Sequence, residues 1–212
     1  MIKKFFSAVV VLQIFFMNFV YAQEIIDKPV PMSENRLRLT REYSQKHYGT
    51  SQTEIIPQAV VIHWTAGPTW ESAYYTFYND DRGDGTVNVS SQFIVDRDGT
   101  IYRITPENFL ARHVIGYNHC AIGIENVGGV DNVEDLTDAQ LAANIFLINY
   151  LRGKFPTIKY IFGHYQQTAA RESGLYIENV QGYYSLKSDP GPKFMGELKK
   201  VFENDGLIFF PL

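Results

Sequence analysis

The 212-residue chain has one cysteine, Cys120, which excludes an internal disulfide and any cysteine-cluster zinc finger. It has no basic excess: 19 Lys+Arg stand against 23 Asp+Glu, a formal net charge of -4. That balance argues against a dedicated DNA or RNA binder, which shows a basic stripe. It has no apolar run long enough for a membrane span, which needs about 20 residues. The run at residues 5–20 is broken by Ser7, Gln13 and Asn18. Repeats, low-complexity tracts and long linkers are also missing, so a single domain is expected. Hydrophobic residues at 45% and charged residues at 20% place the chain among globular proteins.

What the N-terminus does have is a signal-peptide pattern. Lys3 and Lys4 precede the apolar run, and Val20-Tyr21-Ala22 sets small residues where a signal peptidase reads. Cleavage after Ala22 is expected, leaving 17 basic and 23 acidic residues, a charge of -6 (17 − 23). An uncleaved N-terminal anchor is the alternative, and no cysteine follows to carry a lipid. Export to a periplasm or the extracellular space is the expectation, and a lone thiol there is expected to be sequestered.

The mature chain reads as an α/β domain: a strap at 23–57, a main body at 58–204 and a tail at 205–212. A helix is expected over 36–48, ending at Gly49. Ala59-Val60-Val61-Ile62-His63-Trp64 reads as a buried strand. A helix is expected over 69–79, then a turn-rich loop at 80–85 and a hairpin about Asp98-Gly99. Strands follow at 121–127 and 160–162. Thr137 with Gln140 forms a capping box for a long helix to about Phe155. The last helix is expected over 192–204.

Candidate chemistry sits at strand ends. His63 follows Ala59-Val60-Val61-Ile62, His164 follows Tyr160-Ile161-Phe162-Gly163, and Asp189 lies in a turn before the last helix. Two imidazoles and a carboxylate make a three-ligand zinc site with one position open, the pattern of catalytic zinc. Strand-end histidines that merely hydrogen-bond are the alternative.

Five strings occur in order: VVIHWTAG, SQFIVDRDGTIYR, ARHVIGYNHCAIGIENVGG, FGHYQ and KSDPGPKF. Together they resemble the zinc-dependent N-acetylmuramoyl-L-alanine amidases, the type 2 amidases related to the peptidoglycan recognition proteins. The resemblance runs from about Gln58 to Phe202. It implies a single domain with a central mixed β-sheet flanked by helices. It implies zinc as cofactor, with His63, His164 and Asp189 as ligands, Glu125 as general base and Lys187 as oxyanion stabiliser. It implies hydrolysis of the amide between N-acetylmuramic acid and L-alanine, with peptidoglycan or muropeptides as partner. The chain is expected to be a monomer. A peptidoglycan-binding module without activity, as in inactive relatives, is the alternative function.

His113 opens H-x-x-G-Y-N, near the relatives' substrate groove, so His113 and Asn118 are expected to contact substrate. Ser91 stands where some relatives place a catalytic tyrosine, and that role is not carried over. Trp64 is expected to pack behind the metal, and His47 and His119 to be structural or exposed. Residues 165–186 are longer than the family's usual loop. They either line the substrate cleft or form a surface loop; if they line it, Tyr183 or Tyr184 faces the cleft, in a segment with few aliphatic anchors and order that depends partly on ligand.

Overall fold

The computed structural model describes residues 23–211; the candidate signal segment 1–22 lies outside the described residues. The elements run β1 (Ile25–Asp27), α1 (Glu34–Tyr48), β2 (Ala59–Trp64), α2 (Trp70–Tyr78), β3 (Phe93–Val95), β4 (Ile101–Arg103), β5 (Ala121–Asn126), α3 (Asp138–Lys154), β6 (Tyr160–Gly163), α4 (Pro192–Phe202) and β7 (Ile208–Phe209). The strands form one seven-stranded sheet in the order β1-β4-β3-β5-β2-β6-β7. Only the β3–β4 pair is antiparallel, so the sheet is mixed, as expected. Among the described residues no helix is long and apolar enough to cross a membrane.

The centre of the sheet follows from its sequence. All six residues of β2 are buried, and parallel strands covered on both faces read as continuous apolar runs. Alternation then sorts side chains to the two faces. Val60, Ile62, Ile122 and Ile124 join a core with Leu147 and Leu151 of α3 and Met195 and Leu198 of α4. Ala59, Val61 and Phe162 pack on the other face with Val114, Tyr117 and Cys120. Cys120 is sequestered as expected, and burial pushes its thiol up to about 12.

Local signals set the helix ends. Ser33 caps α1 by accepting from Arg36 N at 3.1 Å, and Gly49 ends it with a φ of 75°, a conformation glycine adopts without strain. Thr137 and Gln140 form the expected capping box on α3. The strap and tail are built into the fold. Segment 23–57 contains β1, paired with β4, and α1, whose Leu39, Tyr43 and Tyr48 enter the core. Segment 205–212 contains β7, paired with β6, and the buried Phe210.

Candidate metal centre and active site

Strand register assembles the site. β2 and β5 pair in parallel with His63 beside Glu125, and β2 and β6 pair with Ile62 beside Gly163. His63, Glu125 and His164 therefore stand level at the carboxyl ends of three adjacent parallel strands, where open α/β sheets place their ligands. Asp189 arrives from the turn before α4, held by Tyr165 N donating to its carbonyl at 2.9 Å.

Three side-chain atoms converge. His63 Nδ1 lies 3.0 Å from His164 Nδ1 and 3.1 Å from Asp189 Oδ2, and His164 Nδ1 lies 3.2 Å from that same oxygen. Tetrahedral ligands 2.0–2.2 Å from a zinc ion stand about 3.3 Å apart, so the triangle has the dimensions of such a site.

Hydrogen bonds behind the triangle set the ring orientations. His113 Nε2 lies 3.2 Å from the Ala121 carbonyl, which can only accept, so that nitrogen is assigned the proton. His113 Nδ1, 3.1 Å from His63 Nε2, then accepts from it. His63 Nδ1 faces the His164 nitrogen and the Asp189 oxygen. Burial pushes His164 down to about 4, with His63 acting in the same direction, so it is neutral at pH 7. Burial opposes the charge on Asp189, but bonds from His164 and His63 outweigh it and hold the carboxyl below its usual range. These three residues could hold a metal ion.

Glu125 shares the cavity with the triangle, about 450 Å³ in volume. Its Oε2 is buried without a hydrogen-bond partner among the described residues, and burial pushes the carboxyl up to about 7, partly offset by His63. A carboxylate of that affinity can accept and release a proton near neutral pH. Lys187 is exposed and lines the same cavity, two residues from Asp189.

The sequence profile of the Amidase_2 family, described as N-acetylmuramoyl-L-alanine amidase, matches residues 51–192. The chain belongs to this family. The endolysin of Enterobacteria phage K11 is 36% identical over 76 residues, 34% of this chain and 50% of that protein. The endolysin of Enterobacteria phage T3 is 29% identical over 103 residues, 46% of this chain and 68% of that one. The chain thus spans about half the length of the K11 relative. In fold it is similar to the N-acetylmuramoyl-L-alanine amidase LysC from Clostridium intestinale, with a TM-score of 0.54 and 23% identity over 85% of this chain and 97% of that one. Drosophila PGRP-LB gives a TM-score of 0.57 at 17% identity over 88% of this chain and 96% of that one. These structures establish the amidase/PGRP fold.

His113 and Asn118, expected to contact substrate, are both held by hydrogen bonds within the fold. His113 borders the cavity, and both its ring nitrogens are engaged, one by His63 and one by the Ala121 carbonyl. A Cβ at Gly123 would lie 2.8 Å from the His113 ring, so glycine is what lets that ring lie flat on β5. Asn118 braces the loop that carries His113. It is buried, its Oδ1 accepts from His113 N and Val114 N, and its Nδ2 donates to the Tyr43 hydroxyl. Trp64 packs against Gly129 and forms part of the cavity wall. Ser91 is buried and donates to the Phe93 carbonyl.

Tyr183 and Tyr184 line a neighbouring cavity together with His113, His164 and Lys187. Their segment has firm anchors, contrary to expectation. Ile177 N donates to the Gly116 carbonyl, Asn179 N to the His47 carbonyl and the Tyr117 hydroxyl to the Gln167 carbonyl. His47 Nδ1 meets the Glu178 carboxyl at 2.9 Å, and both side chains are buried. Composition showed few aliphatic anchors, but the anchors are backbone and polar. Sequence reasoning also passed over Arg112, which lines this cavity, the main one and a third.

Proposed function

We propose that this chain is an exported zinc-dependent amidase that hydrolyses the amide between N-acetylmuramic acid and L-alanine in peptidoglycan or its fragments. The observation that carries the reading is the His63–His164–Asp189 triangle with the buried, unpartnered Glu125 one strand away. Family membership supports the reaction class. The endolysin relatives support action on the cell wall, outside the cytoplasm.

His63, His164 and Asp189 would hold the zinc. When bound, zinc supplies a Lewis acid that polarises the carbonyl and acidifies water. Glu125 accepts a proton as water adds to the acyl carbon. It returns that proton to the nitrogen as the C–N bond breaks, so the products are a muramyl carboxylate and a peptide with a free amino terminus. Lys187 stabilises the negative charge on the carbonyl oxygen. His113 holds the His63 ring in one tautomer. Tyr183 and Tyr184 form the wall along which substrate lies.

Mass spectrometry of a muropeptide digest tests this. The expected result is release of peptides beginning with L-alanine, with turnover reduced about 10²–10⁴-fold in Glu125→Gln. Stoichiometric binding of muropeptides without any product would establish the non-catalytic module instead.

A further inference from the structure

Asp189 is the one member of the triangle that no strand holds. His63 ends β2 and His164 directly follows β6, whereas Asp189 lies in the turn between the 165–186 segment and α4. The loop between β5 and α3 grips that turn. The loop is itself firmly tied: Asp135 Oδ1 accepts from Gly129 N at 2.9 Å, and Asp135 Oδ2 accepts from Arg97 Nη1 at 2.9 Å. It meets the turn and the start of α4 at two points. The Ser188 hydroxyl donates to Asn132 Oδ1 at 2.9 Å, and Phe194 N donates to Glu134 Oε1 at 2.7 Å.

The second contact is a helix cap supplied from another part of the chain. The first turn of a helix presents backbone N–H groups that have no partner inside the helix. In α1, α2 and α3 the residue before the helix answers one of them with its own hydroxyl: Ser33, Thr69 and Thr137. Helix α4 follows Gly191, which has no side chain, and its first turn holds no acidic residue. Glu134 fills both roles, setting a carboxylate at the positive end of the helix. Its half-buried side chain lies against Gly191, where a Cβ would stand 2.4 Å from the carboxyl carbon. Gly191 also has a φ of 90°, a region that favours glycine. The glycine of the KSDPGPKF string thus makes room for the carboxylate. Gly191 is two residues from Asp189, so the first turn of α4 sets where the Asp189 side chain stands.

We propose that Glu134 is a positioning residue for the metal site: by capping α4 it holds Asp189 at the distance from His63 and His164 at which the three can share one ion. The inference rests on the zinc reading and extends it to a residue outside the ligand set and outside the cavity lining. Strand β5 carries Glu125 and runs directly into the loop that carries Glu134. One connection therefore sets the candidate base and the third ligand relative to each other.

Zinc affinity of the folded protein, measured by competition with a chelating dye, tests this. Glu134→Ala should bind zinc about 10-fold more weakly than wild type, the lower end of the range for residues that orient a ligand. Glu134→Gln, which keeps an acceptor oxygen without the charge, should lie between the two. The visible absorption of the cobalt(II)-loaded Glu134→Ala protein should shift from that of wild type, because it reports ligand geometry. Two controls separate positioning from a general weakening of α4. Lys199→Gly loosens the same helix at an exposed position and should leave zinc affinity within about twofold. In an Asp189→Ala background, adding Glu134→Ala should cost nothing further, since the residue acts through Asp189. Zinc affinity of Glu134→Ala within about twofold of wild type overturns the proposal. An equal loss in Lys199→Gly, or an undiminished loss in the Asp189→Ala background, also overturns it. If Glu134→Ala does not fold, Glu134→Gln decides by the same measure. A wild type that binds no zinc overturns this proposal and the zinc reading together. Zinc binding that ignores Glu134, with release of L-alanine-terminated peptide, overturns the proposal and leaves the hydrolase standing. Zinc binding that depends on Glu134, with no release, overturns the hydrolase and leaves the positioning role standing.

Discussion

At the scale of single residues, the site depends on where protons sit. The Ala121 carbonyl fixes the His113 tautomer, and His113 in turn fixes His63. Partners of this kind behind a metal ligand are typically worth 10–100-fold in affinity. Competition titration should therefore show His113→Ala binding zinc about 10- to 100-fold more weakly than wild type. Affinity unchanged within twofold would remove the positioning role. His119 permits a separate test away from the metal. Burial pushes it down to about 4, and its Nδ1 is buried without a partner. The unfolded chain takes up this proton near pH 6.5 and the folded one only near 4, so stability falls as pH drops through that window. Urea titrations should show His119→Gln losing about 1–2 kcal/mol less than wild type between pH 7 and pH 4.5. Parallel losses in the two proteins would contradict this. The candidate ligands could be named from sequence because His63, His164 and Asp189 stand in strings that resemble the family's, whereas strand-end position alone left hydrogen-bonding histidines as the alternative. The His113–His63 contact could not, because it depends on a ring from a loop crossing β5 at Gly123.

At the scale of elements, legibility followed the range of the interaction. The Thr137 capping box and the β2 strand depend on neighbours within a few residues, and both were expected from sequence. The integration of α1 depends on Arg36, which the sequence presents as one more polar helix residue. Arg36 is fully buried, bonds the Phe77, Tyr78 and Asn79 carbonyls at the end of α2, and pairs with Asp80 at 3.2 Å. Removing it strands a part-buried carboxylate and three helix-end carbonyls. Arg36→Ala should lower unfolding free energy by about 3 kcal/mol, read from the chemical denaturation midpoint. A change below about 1 kcal/mol would show the contacts to be incidental. Residues 165–186 show the same limit. Their anchors, Gly116 and His47, are far away in sequence, so composition alone suggested a looser segment.

At the scale of the whole molecule, one mixed sheet places three parallel strand ends side by side, and the turn before α4 brings Asp189 to them. The fold class and the members of the candidate site were legible because the chemistry-bearing strings keep their order along the chain. The cavities leading away from the His63–His164–Asp189 triangle were not, since α1, the 80–87 loop and the 165–186 segment meet only in the folded protein. The central claim is that His63, His164 and Asp189 hold a zinc ion that makes this chain a hydrolase. The direct measurement is zinc titration of metal-stripped protein while release of L-alanine-terminated peptide from a muropeptide is followed. The account predicts no release without metal and a rate that rises linearly to a break at about one equivalent of zinc per chain, as a three-ligand catalytic site requires. Release that ignores added zinc, or full zinc occupancy with no release, would contradict it.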